Sequence, residues 1–250
     1  MTKVFNRLKM MACVCAIALC AASCSNDDEY RNRATFSSCF TILGSMPNYT
    51  LVDDSNNRFY PTLESVKAVT DNAGFGQQKR VQLYGYYDME KDVEKGADGT
   101  FNVRNVTLQG GQYILTVKAK SVAQLKEENL LSLDSIFPIQ SLSNCWIANG
   151  YLNTLLVAQY SANGGTPILP SVNIYAREES IKENEVTLEV LYNRHSSKNV
   201  SAAGMAEQLN SFDISELQIP GQDSIMVRLE IQGVSPIKKK VARKALEALK

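Results

Sequence analysis

The chain has 250 residues, with 26 basic and 26 acidic side chains, one histidine and six cysteines. This charge balance excludes the strongly basic surface of nucleic-acid-binding proteins, and 44% apolar residues are enough for a globular core. A single histidine argues against zinc sites and against Ser-His or Cys-His catalytic groups, so we predict no metal and no cofactor.

Residues 1–23 are typical of a secretory signal peptide. An apolar run over 10–22 follows a basic start and ends in small residues just before Cys24. The run is shorter than the about 20 residues that a permanent membrane helix needs. The basic residues of the start are Lys3, Arg7 and Lys9.

The residues before Cys24 indicate the type of signal. Ala21-Ala22-Ser23-Cys24 resembles the bacterial lipobox, although alanine replaces the usual leucine at its first position. We expect cleavage before Cys24, attachment of diacylglycerol to its thiol through a thioether, and N-acylation, so that three acyl chains, palmitate among them, give a stable membrane anchor. The alternative is an ordinary cut near Ala22 that leaves Cys24 as a free thiol.

Residues 24–34 form an acidic tether. Ser25, Asn26, Asp27, Asp28 and Glu29 follow the cysteine at once and resemble the surface-export signal of Bacteroidetes lipoproteins. A solvated acidic linker explains them equally well. Without the basic residues of the signal, 23 basic and 26 acidic side chains remain, a net charge of −3. We therefore expect an extracytoplasmic protein, lipid-anchored in the outer membrane, with cell-surface exposure left open and no nucleic-acid partner.

Residues 35–120 are predicted to form a small β-barrel. Apolar and polar residues alternate from Phe36 to Ile42, the period of a half-buried strand. Asp53-Asp54-Ser55-Asn56-Asn57 is a run of turn formers between two strands, and Lys79 to Met89 is a further strand rich in tyrosine.

The last part of this region has an irregular apolar pattern. Val106 and Leu108 are out of phase with Phe101 and Val103, which predicts the bulge that a small closed barrel needs. A final strand is expected over 113–119, where apolar and polar residues alternate again.

Residues 121–138 are predicted to be a linker or a short helix, and residues 139–235 are predicted to form a β-sandwich. Short strands with turn residues between them favour the sandwich. The expected strands are a long core strand over Ile147 to Tyr160, Ser171 to Arg177, Val186 to Tyr192, an edge strand from Phe212 to Leu217, and Ile225 to Ile231.

Residues 236–250 are predicted to be a short basic helix. Val241, Ala245, Ala248 and Leu249 would share one helical face that docks on the sandwich, and a partly disordered tail is the alternative. Because basic residues cluster at its start, a segment that touches anionic lipid or an acidic partner is a further interpretation.

Two stretches of the chain resemble one protein family. The block from Asn144 to Asn153, NCWIANGYLN, and the later Leu191-Tyr192-Asn193-Arg194-His195 resemble the NigD-like lipoproteins of Bacteroidetes. The first half, with Leu51-Val52-Asp53-Asp54 and Phe59-Tyr60-Pro61-Thr62, is similar to them as well. The resemblance implies an OB-like N-terminal domain followed by a C-terminal β-sandwich. The activity of the family is not established, so no catalytic residue carries over.

Candidate chemical sites are weak. His195 is interpreted as a histidine at the edge of a loop, and the loop over 53–57 as a turn rather than a calcium site. Residues 74–79 lack the spacing and the context of a phosphate-binding loop. We expect Cys39 and Cys145 to be buried free thiols rather than a disulfide.

Aromatic and hydroxyl side chains leave two further hypotheses. Trp146 is interpreted as a core anchor beside Cys145; the alternative is an aromatic platform for sugar rings formed by Trp146, Tyr151, Tyr160 and Tyr175. Asp-Ser-Ile occurs twice and resembles a Bacteroidetes O-glycosylation sequence, with Ser135 and Ser224 as acceptors.

No catalytic constellation emerges from these residues. The sequence favours a non-catalytic, lipid-anchored binding or accessory protein for a protein or glycan partner, acting through the barrel face or the sandwich loops. An extracytoplasmic carboxylate-dependent hydrolase is the alternative. The family name adds a third hypothesis, a role in bacteriocin immunity or secretion.

Overall fold

Fifteen β-strands dominate the computed structural model, which describes residues 32–73, 79–128, 137–163, 165–168, 170–176, 180–182, 184–194, 202–217 and 223–249. The all-β prediction is therefore confirmed. The signal peptide and Cys24 lie outside these residues, so cleavage and acylation stay predictions. Within the described ranges, no helix has both the length and the apolar character to cross a bilayer.

The first half contains a closed barrel. Its strands are β1 (Arg33–Ser45), β2 (Asn48–Asp53), β3 (Arg58–Pro61), β4 (Arg80–Asp88), β5 (Val93–Lys95) and β6 (Phe101–Tyr113). Five of them follow the order β3-β2-β1-β4-β6, and parallel pairing of β3 with β6 closes the circle, while β5 adds to β6. The predicted hairpin around 53–57 joins β2 to β3. This is the OB-like barrel that the resemblance implied.

The barrel core is rich in aromatic rings. Phe40 packs edge to face on Phe36 and on Phe59, with ring centroids 5.6 and 5.1 Å apart. Phe36, Phe40 and Ile42 all contact this core, so the predicted alternation in β1 is confirmed.

The predicted bulge in β6 is also confirmed. Val103 and Val106 both face the core although residues three apart in a regular strand face opposite sides. Asn105 between them has a φ of +49°. A second register shift lies opposite Tyr84 and Gly85, at the other end of the strand.

A helix that the sequence analysis did not predict, α1 (Leu63–Ala73), connects β3 to β4. Val66 and Val69 are buried and join the barrel core. Thr62 Oγ1 accepts a hydrogen bond from the Ser65 amide at 3.3 Å and satisfies one free N–H of the first turn. Two valines among polar residues are too short a pattern to reveal the helical period.

The second half is the predicted β-sandwich. Its elements are β7 (Leu115–Lys118), α2 (Val122–Glu127), β8 (Ser141–Ala148), β9 (Tyr151–Asn163), β10 (Thr166–Ile168), β11 (Ser171–Ala176), β12 (Glu185–Asn193), β13 (Gly204–Asp213), β14 (Ser224–Ile231) and β15 (Ile237–Ala242). One sheet has the order β10-β9-β13-β7, with β8 also paired to β9; the other has the order β11-β12-β14-β15. Their inner side chains form one apolar core.

The predicted short helix in the linker is confirmed as α2. Ser121 caps it in a capping box: Ser121 Oγ accepts a hydrogen bond from the Gln124 amide, and the Ser121 amide donates to Gln124 Oε1. The prediction of one barrel strand over 113–119 is wrong. Tyr113 is the last residue of β6, whereas β7 lies outside the barrel and pairs in parallel with β13. β7 therefore belongs to the sandwich.

The long core strand expected within Ile147 to Tyr160 is β9, but the start of that range is the end of β8, and Asn149 and Gly150 turn the chain between the two strands with φ values of 55° and 81°. Apolar residues on both sides of this turn conceal it. The expected edge strand from Phe212 is the end of β13, which lies between β9 and β7 and carries buried polar residues.

The predicted C-terminal helix is also wrong. Ile237–Ala242 is β15, which pairs antiparallel with β14, and a short 3-10 helix follows over Arg243–Leu246. The physical reason is the open edge of β14, whose hydrogen-bonding groups an extended segment satisfies. Lys238 and Lys240 point to solvent, whereas Lys239 lies on the inner side, where its ammonium donates to the Cys145 carbonyl.

Candidate functional site

The barrel meets the sandwich at Arg80, the first residue of β4. Its side chain is 0% exposed, and its two terminal nitrogens donate to both carboxylate oxygens of Asp54 at 2.8 and 3.0 Å. The same nitrogens donate to Thr41 Oγ1 at 3.1 Å and to Asn153 Oδ1 at 3.0 Å. This is the bidentate geometry in which a guanidinium binds a carboxylate, and it fixes both side chains.

Strand register explains how these residues meet. Thr41 lies opposite Arg80 in the β1–β4 pair, and Asp54 follows β2 at the hairpin loop. Asn153 is on the outer face of β9, opposite Ser211 of β13, whose hydroxyl donates to Asn153 Oδ1 at 2.5 Å. Two barrel elements and one sandwich strand therefore converge on one buried guanidinium, and Ser211 of β13 supports Asn153. We call this group the junction.

The β2–β3 loop is held by the β8–β9 hairpin as well. Trp146 Nε1 donates to Asp54 Oδ2 at 2.6 Å, and Asn149 Nδ2 donates to the Asp53 carbonyl at 3.0 Å. Asp53 accepts the backbone amides of Ser55 and Asn57 at 2.8 Å each, which is turn chemistry as predicted. Burial raises the pKa of the Asp53 carboxyl above its ordinary value.

A cleft of about 320 Å³ lies beside the junction, between barrel and sandwich. Two carboxylates line it, but Asp213 accepts from the amide and hydroxyl of Ser215, and Glu216 pairs with Lys118 at 2.7 Å. Both are thus engaged with neighbours rather than facing each other. The lining residues are Thr41, Ile42, Leu43, Lys79, Thr116, Lys118, Tyr151, Asp213, Ser215, Glu216, Ala248 and Leu249.

A second surface lies on the outside of the barrel, where β1, β4 and β6 are neighbours. Its outward residues are small, neutral or aromatic, and we call this surface the tyrosine face. Strand register places these residues side by side: Thr35, Ser37 and Cys39 on β1, Gln82, Tyr84 and Tyr86 on β4, and Thr107, Gly110 and Gln112 on β6.

The tyrosine rings of this face are held in defined positions. The Tyr84 ring crosses β6 directly over Gly110, where an added Cβ would be 2.3 Å from the Tyr84 hydroxyl oxygen. The Tyr84 residue is nevertheless 50% exposed. Tyr86 stacks under the Arg33 guanidinium at 4.0 Å, and Gln112 donates to Gln82 at 2.9 Å.

The aromatic platform considered from the sequence is wrong. Trp146 is half-buried and binds the junction, whereas Tyr151 and Tyr175 are buried, the latter on the opposite sheet with its hydroxyl on Glu189. Trp146 points away from Cys145, so the prediction of a core anchor beside that cysteine is wrong too. Tyr84 of β4, in the strand that the sequence showed to be rich in tyrosine, is exposed instead.

The other predicted site residues have mixed outcomes. Cys39 and Cys145 are free thiols, as predicted, although Cys39 is only half-buried. Burial raises the pKa of the Cys145 thiol to about 11. Ser224 is the first residue of β14 and partly exposed. Cys24, the export-signal residues Ser25 to Glu29, Ser135, His195 and residues 74–78 lie outside the described residues; glycosylation and export stay predictions.

No role for Arg80 or Asn153 followed from the sequence, although Asn153 lies in the block that resembles the NigD-like lipoproteins. Arg80 sits among polar and tyrosine residues in a strand, where an arginine normally faces solvent. Its partners are 26 to 73 residues away in the chain.

No model of a known protein family matches this chain, and no curated protein sequence matches it. Among solved structures, a NigD-like immunity protein from Bacteroides caccae is 13% identical, with 84% of this chain and 98% of that chain covered and a TM-score of 0.48. A protein provisionally described as a lipoprotein, from Bacteroides fragilis, is 12% identical with 84% and 97% covered and a TM-score of 0.48.

A protein of unknown function from Bacteroides vulgatus is also similar, at 13% identity, with 84% and 90% covered and a TM-score of 0.47. A NigD-like protein is thus among the structures similar to this chain, as the sequence resemblance led us to expect. At this identity the similarity concerns the arrangement of the chain and no activity.

Proposed function

We propose that this protein is a non-catalytic binding protein of the cell envelope, anchored by lipid on Cys24 in the outer membrane. It binds a partner molecule on the tyrosine face of its barrel. The anchor is supported by the lipobox-like residues before Cys24, because several acyl chains on one cysteine hold a protein stably to a membrane.

The observation that carries the binding role is the exposure of Tyr84 on a fixed backbone. Tyr84 is 50% exposed, and its ring lies over Gly110 of the neighbouring strand, so it offers a large apolar area and loses little conformational entropy when a partner binds. The ion pair at the junction supports this role, because it fixes the barrel strands that carry the ring. A nucleic-acid partner is disfavoured by the net charge of −3 and by the neutral side chains around Tyr84.

The anchor is tested with Cys24→Ala. We expect the variant to leave the envelope fraction on a carbonate wash, whereas the wild-type chain stays with it. A variant that remains in the washed envelope contradicts the lipid anchor and leaves the binding role to be tested separately.

The binding role is tested by photo-crosslinking in intact cells. A photoreactive amino acid at Ser37, an exposed position on the tyrosine face, should give crosslinked products. The same amino acid at Lys240, exposed on the sandwich strand β15, is the matched control and should give few. Equal yields at the two positions, or none at Ser37, would contradict binding through this face.

A further inference from the structure

The Tyr84 ring has one covered side and one open side. The covered side lies over Gly110, because an added Cβ there would come within 2.3 to 2.8 Å of three atoms of the phenol. The other side faces solvent, since half of the residue is accessible. A flat aromatic surface of this kind suits the apolar side of a pyranose ring.

The surroundings of the ring are neutral and rich in hydrogen-bonding groups. Ser37 lies opposite Tyr84 on β1, and the paired amides of Gln82 and Gln112 are the next row along the strands. Amides and hydroxyls both donate and accept hydrogen bonds, as sugar hydroxyls do. The Arg33 guanidinium stands at the far end of the face, over the Tyr86 ring.

We propose that the tyrosine face binds a neutral oligosaccharide, with one hexose ring stacked on Tyr84 and its hydroxyls bonded to Gln82 and Gln112. This inference rests on the proposed function and names its ligand class. Charge favours this class: the row around Tyr84 carries no ionised side chain, and Arg33 is held over the Tyr86 ring further along β4, so a phosphate, sulfate or uronate group beside Tyr84 would lose water without a counter-charge in its own row.

Gly110 gives a variant that moves the ring without removing it. In Gly110→Ala the new methyl group occupies the place of the Tyr84 phenol, which must rotate away. The phenol is the free end of a side chain, and Gly110 does not have a positive φ, so the strand itself accepts alanine. Gly110 is thus a positioning residue for Tyr84.

The test is calorimetric titration of the full chain, processed in cells and purified in detergent. The neutral probes are cello-, xylo- and manno-oligosaccharides and starch fragments; the acidic probes are oligogalacturonate and sulfated heparin fragments. The variants are Tyr84→Ala, Gly110→Ala and the control Tyr113→Ala, which removes a tyrosine that is 57% exposed but outside the face. Circular dichroism and urea unfolding check that each variant is folded.

We expect a neutral probe to bind, with about tenfold weaker affinity in both Tyr84→Ala and Gly110→Ala and an unchanged affinity in Tyr113→Ala. Preference for an acidic probe, wild-type affinity in Tyr84→Ala, or no binding of any probe would each overturn the inference. If Gly110→Ala does not fold, Tyr84→Ala decides alone. Crosslinks from Ser37 to a protein without any glycan binding would retain the proposed function and reject the ligand class.

Discussion

Replacing Arg80 with methionine tests whether the buried ion pair holds the barrel against the sandwich. Methionine keeps much of the apolar volume but removes the guanidinium, so the hydrogen bonds to Thr41, Asn153 and both oxygens of Asp54 disappear. Asp54 is then left as a carboxylate that is 19% exposed, with Trp146 Nε1 as a remaining donor.

We expect the free energy of unfolding to fall by about 3 kcal/mol. Removal of one partner from a buried ion pair costs roughly 3–5 kcal/mol, and the lower end applies because Asp54 keeps a hydrogen bond and some contact with water. In a double-mutant cycle with Asp54→Asn, the double variant should lose less than the sum of the two single losses, by roughly 0.5–3 kcal/mol.

Urea unfolding followed by fluorescence is the assay. Trp146 is the only tryptophan of the chain and binds Asp54 directly, so its emission reports the junction. With a denaturant slope of about 3 kcal/mol per molar urea, the midpoint should fall by about 1 M. Lys118→Met is the matched control, because Lys118 and Glu216 pair while 71% and 72% exposed, so water screens the pair and its loss should move the midpoint much less. Equal midpoint shifts for Arg80→Met and Lys118→Met, or a strictly additive cycle, would refute the reasoning.

Further predictions concern single side chains. Because burial raises the pKa of the Cys145 thiol to about 11, iodoacetamide at pH 8 should modify Cys39 faster, as peptide mass spectrometry can measure; equal rates would count against the buried site. Gly150→Ala should lower the urea midpoint more than Gly99→Ala does. Both positions have a positive φ that costs alanine roughly 1–2 kcal/mol, but a methyl at 150 would approach neighbouring atoms to 3.0 Å, whereas 99 has open space. The Asp53 carboxyl should titrate above 3.8, as carbon-detected NMR can measure. Between 3.8 and this raised pKa the folded chain binds more protons than the unfolded chain, so the contribution of Asp53 to stability falls as pH rises through that window. Titration at or below 3.8 would contradict its burial.

Much of the architecture could be predicted from local pattern. The alternation in β12 and β14 identifies the inward side chains, and the turn formers over 53–57 identify the hairpin between β2 and β3. The phase slip in β6 predicts its bulge. Each of these signals lies within about ten residues, because the period of a strand and the chemistry of a turn are properties of adjacent residues.

The candidate site was only partly predictable. The sequence showed that the strand over Lys79 to Met89 is rich in tyrosine, but not which of its two sides would face water. Closure of the barrel decides that, since parallel pairing of β3 with β6 turns one side of every strand inward. Tyr84 is therefore a surface residue because of the pairing that closes the barrel, which the residues next to it in the sequence do not reveal.

The all-β class and the alternating strands are determined by the sequence alone, and the export signal stays a prediction from it. Tertiary structure decided that 237–242 is a strand, because the open edge of β14 satisfies its backbone groups, and that Arg80 is buried, because Asp54 and Asn153 reach it from distant parts of the chain. Pairing of distant residues depends on where the whole chain places them, and a short window of sequence does not contain that information.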